Sequence, residues 1–163
     1  MSRPQSEKPQ PADYLIEVHK RQRQLALFEN GQLRYTFRVA LGFDPQGAKQ
    51  WQGDGRTPEG EFRTLLKNPK SKFYRSVLIN YPLSFDAERA FAASRIDKAA
   101  RDQILRAHER GGIPSQATAL GGDIYIHGGG SSQDWTAGCI ALDNRDMDLI
   151  FALPVGVRVR IHP

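Results

Sequence analysis

A mainly β domain with one helical insertion is what this sequence predicts, on three observations. Short runs with an apolar residue at every second position fill both halves of the chain, divided by Gly, Pro, Asn and Asp. One stretch, residues 85–110, breaks that period: alanine, arginine and acids dominate it and β-branched residues are scarce. The chain of 163 residues is long enough to bury one core, and neither a repeat nor a second core is visible. The expected organisation is a flexible arm over 1–12, rich in Pro, Gln, Ser and Lys, followed by one domain over 13–163.

In chain order, "YLIEVHKRQRQLALFENGQLRYTFRVALG" predicts three strands. Ile16 and Val18 alternate with Leu15, Glu17 and His19; "QLALFE" follows; Asn30-Gly31 is the signal of a tight hairpin. Tyr35, Phe37, Val39 and Leu41 share one face of the third strand, so this meander must lay an apolar face on another sheet. "GDGRTPEGEF" predicts a compact turn, because Asp-Gly, Pro58 and Gly60 each supply a backbone geometry that other residues resist. "EFRTLLKN" and "SVLINYP" predict two strands with the basic-aromatic loop "PKSKFYR" between them. Residues 85–110 predict one or two helices ended by Gly111-Gly112, with Phe91, Ile96, Ala99, Ile104 and Leu105 as the inward stripe. "DIYIHG" predicts a strand, "NRDMDLIFAL" a short helix capped by Asp143 or Asn144, and "VGVRVRIH" a half-buried final strand.

Composition narrows the function classes. The net charge of +5 favours anionic partners. The basic residues are dispersed and accompany no helix-turn-helix or zinc-finger spacing, so no nucleic-acid partner is expected. No apolar run reaches the length of a membrane span, and "MSRPQSEKPQPAD" lacks the apolar stretch of a secretory signal. A single cysteine excludes an internal disulfide framework. His19, His108 and His162 show no metal-ligand spacing, and neither metal nor organic cofactor is expected.

The chemistry gathers in "IYIHGGGSSQDWTAGCIALDN", residues 124–144. Strand alternation sends Ile124 and Ile126 one way, Tyr125 and His127 the other. After the loop, Cys139 and Ala141 share one face and Ile140 and Leu142 the opposite one. Pairing of the two strands as a hairpin would bring His127 to Cys139, and an imidazole in reach of sulfur favours the nucleophilic thiolate. Gly138 lets the N–H groups around Cys139 turn towards a bound carbonyl and stabilise an oxyanion. In that arrangement the carbonyl of Gly128 is expected to orient the imidazole. Plainer readings stand beside these: a lone cysteine is ordinarily a buried apolar side chain, Asn144 a cap, Trp135 a packing anchor, and Gly128–Gly130 a turn.

These residues resemble the L,D-transpeptidase catalytic domain (YkuD-type) of bacterial cell walls, whose signature is a His, a variable loop, then S/T-H-G-C-x-R-x-x-N. "TAGCIALDN" agrees at Thr136, Gly138, Cys139 and Asn144, His127 agrees with the upstream histidine, and "GDGRTPEGEF" is similar to the family's earlier turn. The resemblance spans residues 13–162. It implies a β-sandwich-like catalytic domain with Cys139 as nucleophile and His127 as base. The substrate it implies is a peptidoglycan stem peptide containing meso-diaminopimelate, cut after the L-centre and passed as an acyl group to an amine. It further implies substrate contacts from Trp135, Thr136, Tyr125, Asn144 and Arg56, a bacterial envelope or periplasmic location, and a monomer. Ala137 stands where the family has a second histidine, and Ala141 where it has an arginine thought to hold a substrate carboxylate. Arg56, Lys72 and Arg75 are the candidates to replace that arginine. Two other outcomes stay open: hydrolysis of diaminopimelate links, or a wall-binding module without activity.

Overall fold

A computed structural model describes residues 10–163, and most of the expected arm, residues 1–9, lies outside the described residues. Strand β1 (Tyr14–His19) is followed by β2 (Gln24–Glu29) and β3 (Gln32–Arg38). The β2–β3 turn is Asn30-Gly31 with φ of 50° and 78°, the left-handed pair that a two-residue hairpin requires. Ile16, Val18, Leu25 and Leu27 reach the core, as alternation predicts. Tyr35 does not: it is 46 % exposed on β3, the first strand of the sheet, while Phe37, Val39 and Leu41 of that face are covered.

Strand β4 (Gly60–Ser71) runs longer than expected, and β5 (Tyr74–Ile79) starts after a turn at Lys72-Phe73. "PKSKFYR" is therefore the end of one strand and the start of the next, not a loop. Pro69 is tolerated there because the ladder slips register between Asn68 and Ser71, leaving room for a residue without an N–H. Helices α1 (Ser84–Ala92) and α2 (Lys98–Glu109) form the insertion. They bury Ala87, Ala90 and Ile104 with Leu120 in a small cluster of their own, with Ile96 and Leu105 packed against it. Ala99, expected inside, is exposed. Tyr81 ties the insertion to the sheet, its hydroxyl donating to the Leu120 carbonyl at 2.7 Å.

Strands β6 (Tyr125–His127) and β7 (Ile140–Ala141), helix α3 (Asn144–Phe151) and strand β8 (Arg158–His162) complete the chain. The strand order is β3-β2-β1-β8-β4-β5-β6-β7. Near its start β4 pairs with β8 through Gly60–Arg63; further on, from Thr64, it pairs with β5. The sheet thus bends from one layer into the other along β4. Its two ends meet where Ala40 bridges Ala141 and Gly42 bridges Thr136. The core between the layers holds Ile16, Val18, Phe62, Ile79, Ile126, Ile140, Leu142 and Met147; each fully buried aliphatic side chain contributes about 1.5–3 kcal/mol. The mainly β, sandwich-like class with a helical insertion is what the structure shows.

Candidate active site

The two strands that carry His127 and Cys139 pair in parallel, not as a hairpin: Ile126 stands opposite Ile140, and His127 opposite Ala141. Residues 128–139 are consequently a crossover, which parallel strands need and which takes about a dozen residues. The register aligns Cys139 with Tyr125. Tyr125, His127, Cys139 and Ala141 share one face, while Ile124, Ile126, Ile140 and Leu142 are buried in the core on the other. Two residues of offset on neighbouring strands set the Cα atoms of Cys139 and His127 about 8 Å apart. Among the described residues no hydrogen bond joins sulfur to imidazole.

Cys139 is partly exposed. Its thiol donates to the Asp123 carbonyl at 3.2 Å, and the Tyr125 N–H donates to the sulfur at 3.4 Å. Burial of the sulfur pushes the thiol up to about 11, only partly offset by the Tyr125 N–H and by the positive charges of Lys49 and Lys72. The resting group is a neutral thiol. Asp123 itself adopts a left-handed φ of 54°, with its N–H donated to Gln116 Oε1 at 2.7 Å, which presents its carbonyl to the sulfur.

His127 is 2 % exposed. Its Nδ1 pairs with the Gly128 carbonyl at 2.5 Å, so the ring N–H sits on Nδ1 and Nε2 keeps its lone pair. Phe73 stacks on the ring at 4.6 Å and Trp135 meets it edge-on at 5.5 Å. That aromatic wall desolvates the imidazole and lowers its basicity, with the Gly128 contact acting in the opposite sense. Nothing in the sequence near His127 points to Phe73, which reaches the ring only through the Lys72-Phe73 turn between β4 and β5.

The loop itself is tied down. Asn144 Oδ1 accepts the Gly129 N–H at 2.9 Å, Leu142 O accepts that of Gly130 at 3.0 Å, and Trp135 Nε1 donates to the Gly130 carbonyl at 3.0 Å. Asp143 takes the N-cap position of α3 without a side-chain cap bond, because its carboxylate holds the Ser131 N–H and hydroxyl at 3.0 Å. Both expected helix caps therefore brace the crossover. Thr136, 4 % exposed, donates its hydroxyl to the Cys139 carbonyl at 2.8 Å and accepts the Gly138 N–H at 3.1 Å. That occupies one of the two amides expected to face an oxyanion. The other, the N–H of Cys139, has no acceptor among the described residues. Gly138 is required for a different reason: its φ is +142°, and a Cβ would lie 2.8 Å from the Arg56 carbonyl.

Arg56 meets the site with its backbone while its guanidinium reaches the Gly47 turn, where its Nε has no partner. Arg75 pairs with Asp148 at 3.0 Å. Lys72 is exposed and lies over the Phe73 ring at 5.1 Å, the one of the three basic candidates whose charge acts on Cys139. Lys49 is the second such cation. Its ammonium is buried against Asp54 at 3.0 Å, and Asp54 also gathers the N–H groups of Gln50, Trp51 and Arg56, which shapes the turn beside Gly138. Ala137 is exposed and Ala141 fully buried against Ala40. A cavity of about 580 Å³ lined by Arg63, Asn80, Leu83, His108 and Arg160 includes neither Cys139 nor His127. No helix among the described residues is long and apolar enough to cross a membrane.

Comparison with known proteins gives the family and the fold. Residues 13–161 match the model of the YkuD family, the L,D-transpeptidase catalytic domain. YafK of Escherichia coli (strain K12), which carries a provisional L,D-transpeptidase name, is 27 % identical over 155 residues, covering 91 % of this chain and 50 % of YafK. The chain thus spans about half the length of the curated relatives it matches. The fold is shared with the helical cell shape determining protein Pgp2 of Campylobacter jejuni, at a TM-score of 0.60 and 22 % identity over 93 % of this chain and 48 % of that one. It is shared as well with the L,D-transpeptidase LdtMt1 in complex with imipenem, at a TM-score of 0.52 and 14 % identity over 93 % and 59 %.

Proposed function

The chain belongs to the L,D-transpeptidase catalytic domain family, and on that premise we propose that it is a cysteine acyltransferase acting on peptidoglycan stem peptides in the bacterial envelope. Cys139 is the nucleophile and His127 the base. The observation that carries the reading is the fixed imidazole: Nδ1–H held by the Gly128 carbonyl leaves Nε2 basic, on the same face of β6 and β7 as the sulfur.

The resting pair is neutral on both sides. When a stem peptide enters, the thiol gives up its hydrogen bond to the Asp123 carbonyl, and the S–H bond breaks, its proton passing to His127 Nε2 as sulfur attacks the amide carbon after the L-centre of diaminopimelate. The Cys139 N–H is free to stabilise the oxygen of the tetrahedral intermediate. Collapse breaks the C–N bond, the imidazolium gives its proton to the departing amine of the D-residue, and a thioester remains. An amine on a second stem peptide then attacks the thioester, with His127 taking its proton, and Cys139 is regenerated. Trp135, Tyr125 and Phe73 form the wall against which the peptide lies. Lys72 is the cation best placed to meet a substrate carboxylate, since Ala141 has no room for one and the Arg56 guanidinium faces Gly47.

A second reading shares every step up to the thioester and then uses water. The buried Ala141 favours it, since the side chain that holds a carboxylate in the family signature is missing. Incubation with a defined diaminopimelate tetrapeptide and mass spectrometry separates the two: a cross-linked or amine-exchanged product supports the transferase, and shortened peptide alone supports hydrolysis. Imipenem, present in the LdtMt1 structure, tests the nucleophile. A covalent adduct on Cys139 is expected, lost in Cys139→Ser and strongly slowed in His127→Ala; a folded protein that gains no adduct points to a wall-binding module instead.

A further inference from the structure

The parallel pairing of β1 with β8 brings together residues from opposite ends of the sequence. His19 stands opposite His162, and Glu17 opposite Arg160. Ile16, Val18, Val159 and Ile161 point into the core, so Glu17, His19, Arg160 and His162 share the outer face. The two imidazoles stack with centroids 4.8 Å apart and planes 10° from parallel. Glu17 divides its carboxylate between them: Oε2 lies 3.5 Å from His19 Nε2, and Oε1 lies 3.8 Å from His162 Nε2. Yet His162 Nε2, screened from solvent, has no hydrogen-bond partner.

We propose that Glu17, His19 and His162 form a binding site for a divalent transition-metal ion of the zinc, nickel and copper class. One atom from each of the three residues lies within 4.8 Å of the others. Two neutral imidazole nitrogens and one carboxylate oxygen suit borderline metals and offer little to magnesium or calcium, which prefer oxygen donors. Bonds of about 2.0–2.1 Å to Zn²⁺ bring tetrahedral ligands to about 3.3 Å from one another, so the widest pair must close by about 1.5 Å. The side chains have that freedom, being 34 %, 21 % and 43 % exposed for His19, Glu17 and His162.

The surrounding charges permit a cation. Arg160 lies 3.7 Å from Glu17 Oε1, but its Nε sits closer to Glu61 of β4, at 2.9 Å, and that carboxylate offsets its charge. Gln24, opposite His19 on β2, is neutral. Lys20 sends its ammonium to the carbonyls of Gly47 and Thr57, away from the trio. Two ligands lie on β1 and one on β8, so the ion would lock the first strand of the domain to the last.

The test is isothermal titration of the full chain with zinc chloride at neutral pH, in a Cys139→Ser background that removes the only thiol, alongside thermal melting. One ion should bind per chain. Zinc at a hundredfold excess over its dissociation constant should raise Tm by about 5–10 °C, reversibly with EDTA. Magnesium should leave Tm unchanged. His19→Gln and His162→Gln should each weaken binding at least tenfold. In the protein with all four histidines intact, ¹⁵N spectra of the rings should show the His19 and His162 signals moving on zinc addition and those of His108 staying. Absence of saturable binding overturns the proposal. So does undiminished affinity in both histidine variants, or ring signals that shift only for His127.

Discussion

The acidity of Cys139 can be read out directly through its rate of alkylation. The thiol donates to the Asp123 carbonyl at 3.2 Å, and burial raises it from 9.0 to about 11. At pH 7 the thiolate fraction is then about 10⁻⁴, against about 10⁻² for the unshifted group, so iodoacetamide should react about a hundredfold more slowly with the folded protein than with a cysteine peptide. The assay is intact-mass alkylation from pH 6 to 10, scored as a second-order rate. Expected is a rise of about one decade per pH unit over the whole range, with no plateau. The sign also fixes the effect on stability: the folded thiol titrates above the unfolded one, so its contribution is complete below about pH 9 and is lost as pH climbs towards 11. A plateau below pH 8, or a neutral-pH rate matching the free peptide, would mean that His127 already holds the proton. The neutral resting pair would then be wrong.

Two substitutions probe the frame of the site. Gly138→Ala sets a Cβ 2.8 Å from the Arg56 carbonyl and 3.1 Å from Ile124 Cδ1 at a φ of +142°; urea unfolding should show a loss of about 2–4 kcal/mol, and a loss below about 0.5 kcal/mol would contradict the steric account. Asp54→Asn leaves the Lys49 ammonium, in a side chain only 2 % exposed, without its carboxylate; the expected loss is about 3 kcal/mol, and Lys49→Met in the same chain should recover part of it. A double variant no more stable than Asp54→Asn would place the cost in the turn amides that Asp54 holds, not in the orphaned charge.

The local signals in the sequence were strong where a single stretch decides its own shape. Asn30-Gly31 specifies its hairpin whatever surrounds it, and the alanine-rich run over 85–110 cannot alternate as a strand. The sides taken by Tyr125, His127 and Cys139 followed from a period of two alone. Pairing direction did not, because it depends on distant partners: Ala40 and Gly42 bridge Ala141 and Thr136 from the side of β7 away from β6, and nothing within residues 124–144 announces them. Phe73 and Lys49 went unrecognised for the same reason, since each joins the site through tertiary contact. Gly138 was legible as special, but its constraint comes from the Arg56 backbone, and Thr136 takes the amide that was expected to serve catalysis. His19 and His162 show no ligand spacing in the sequence, yet spacing measures separation along the chain and is blind to a parallel neighbour, which sets the two rings side by side.

The parallel ladder between β6 and β7 has a consequence for divergence. In a hairpin, each residue inserted between the strands strains the turn or shifts their pairing, and a shift of one residue would turn the sulfur to the opposite face. A crossover lifts that coupling. The residues that flank Cys139 are held independently of the loop, Thr136 by the bridge to Gly42 and Ala141 by the bridge to Ala40, so the part of the span before Thr136 can lengthen or shorten without dislodging the cysteine. Under the proposed function, the crossover could change in length, and with it the surface beside the site, while the alignment of β6 with β7 stayed as it is.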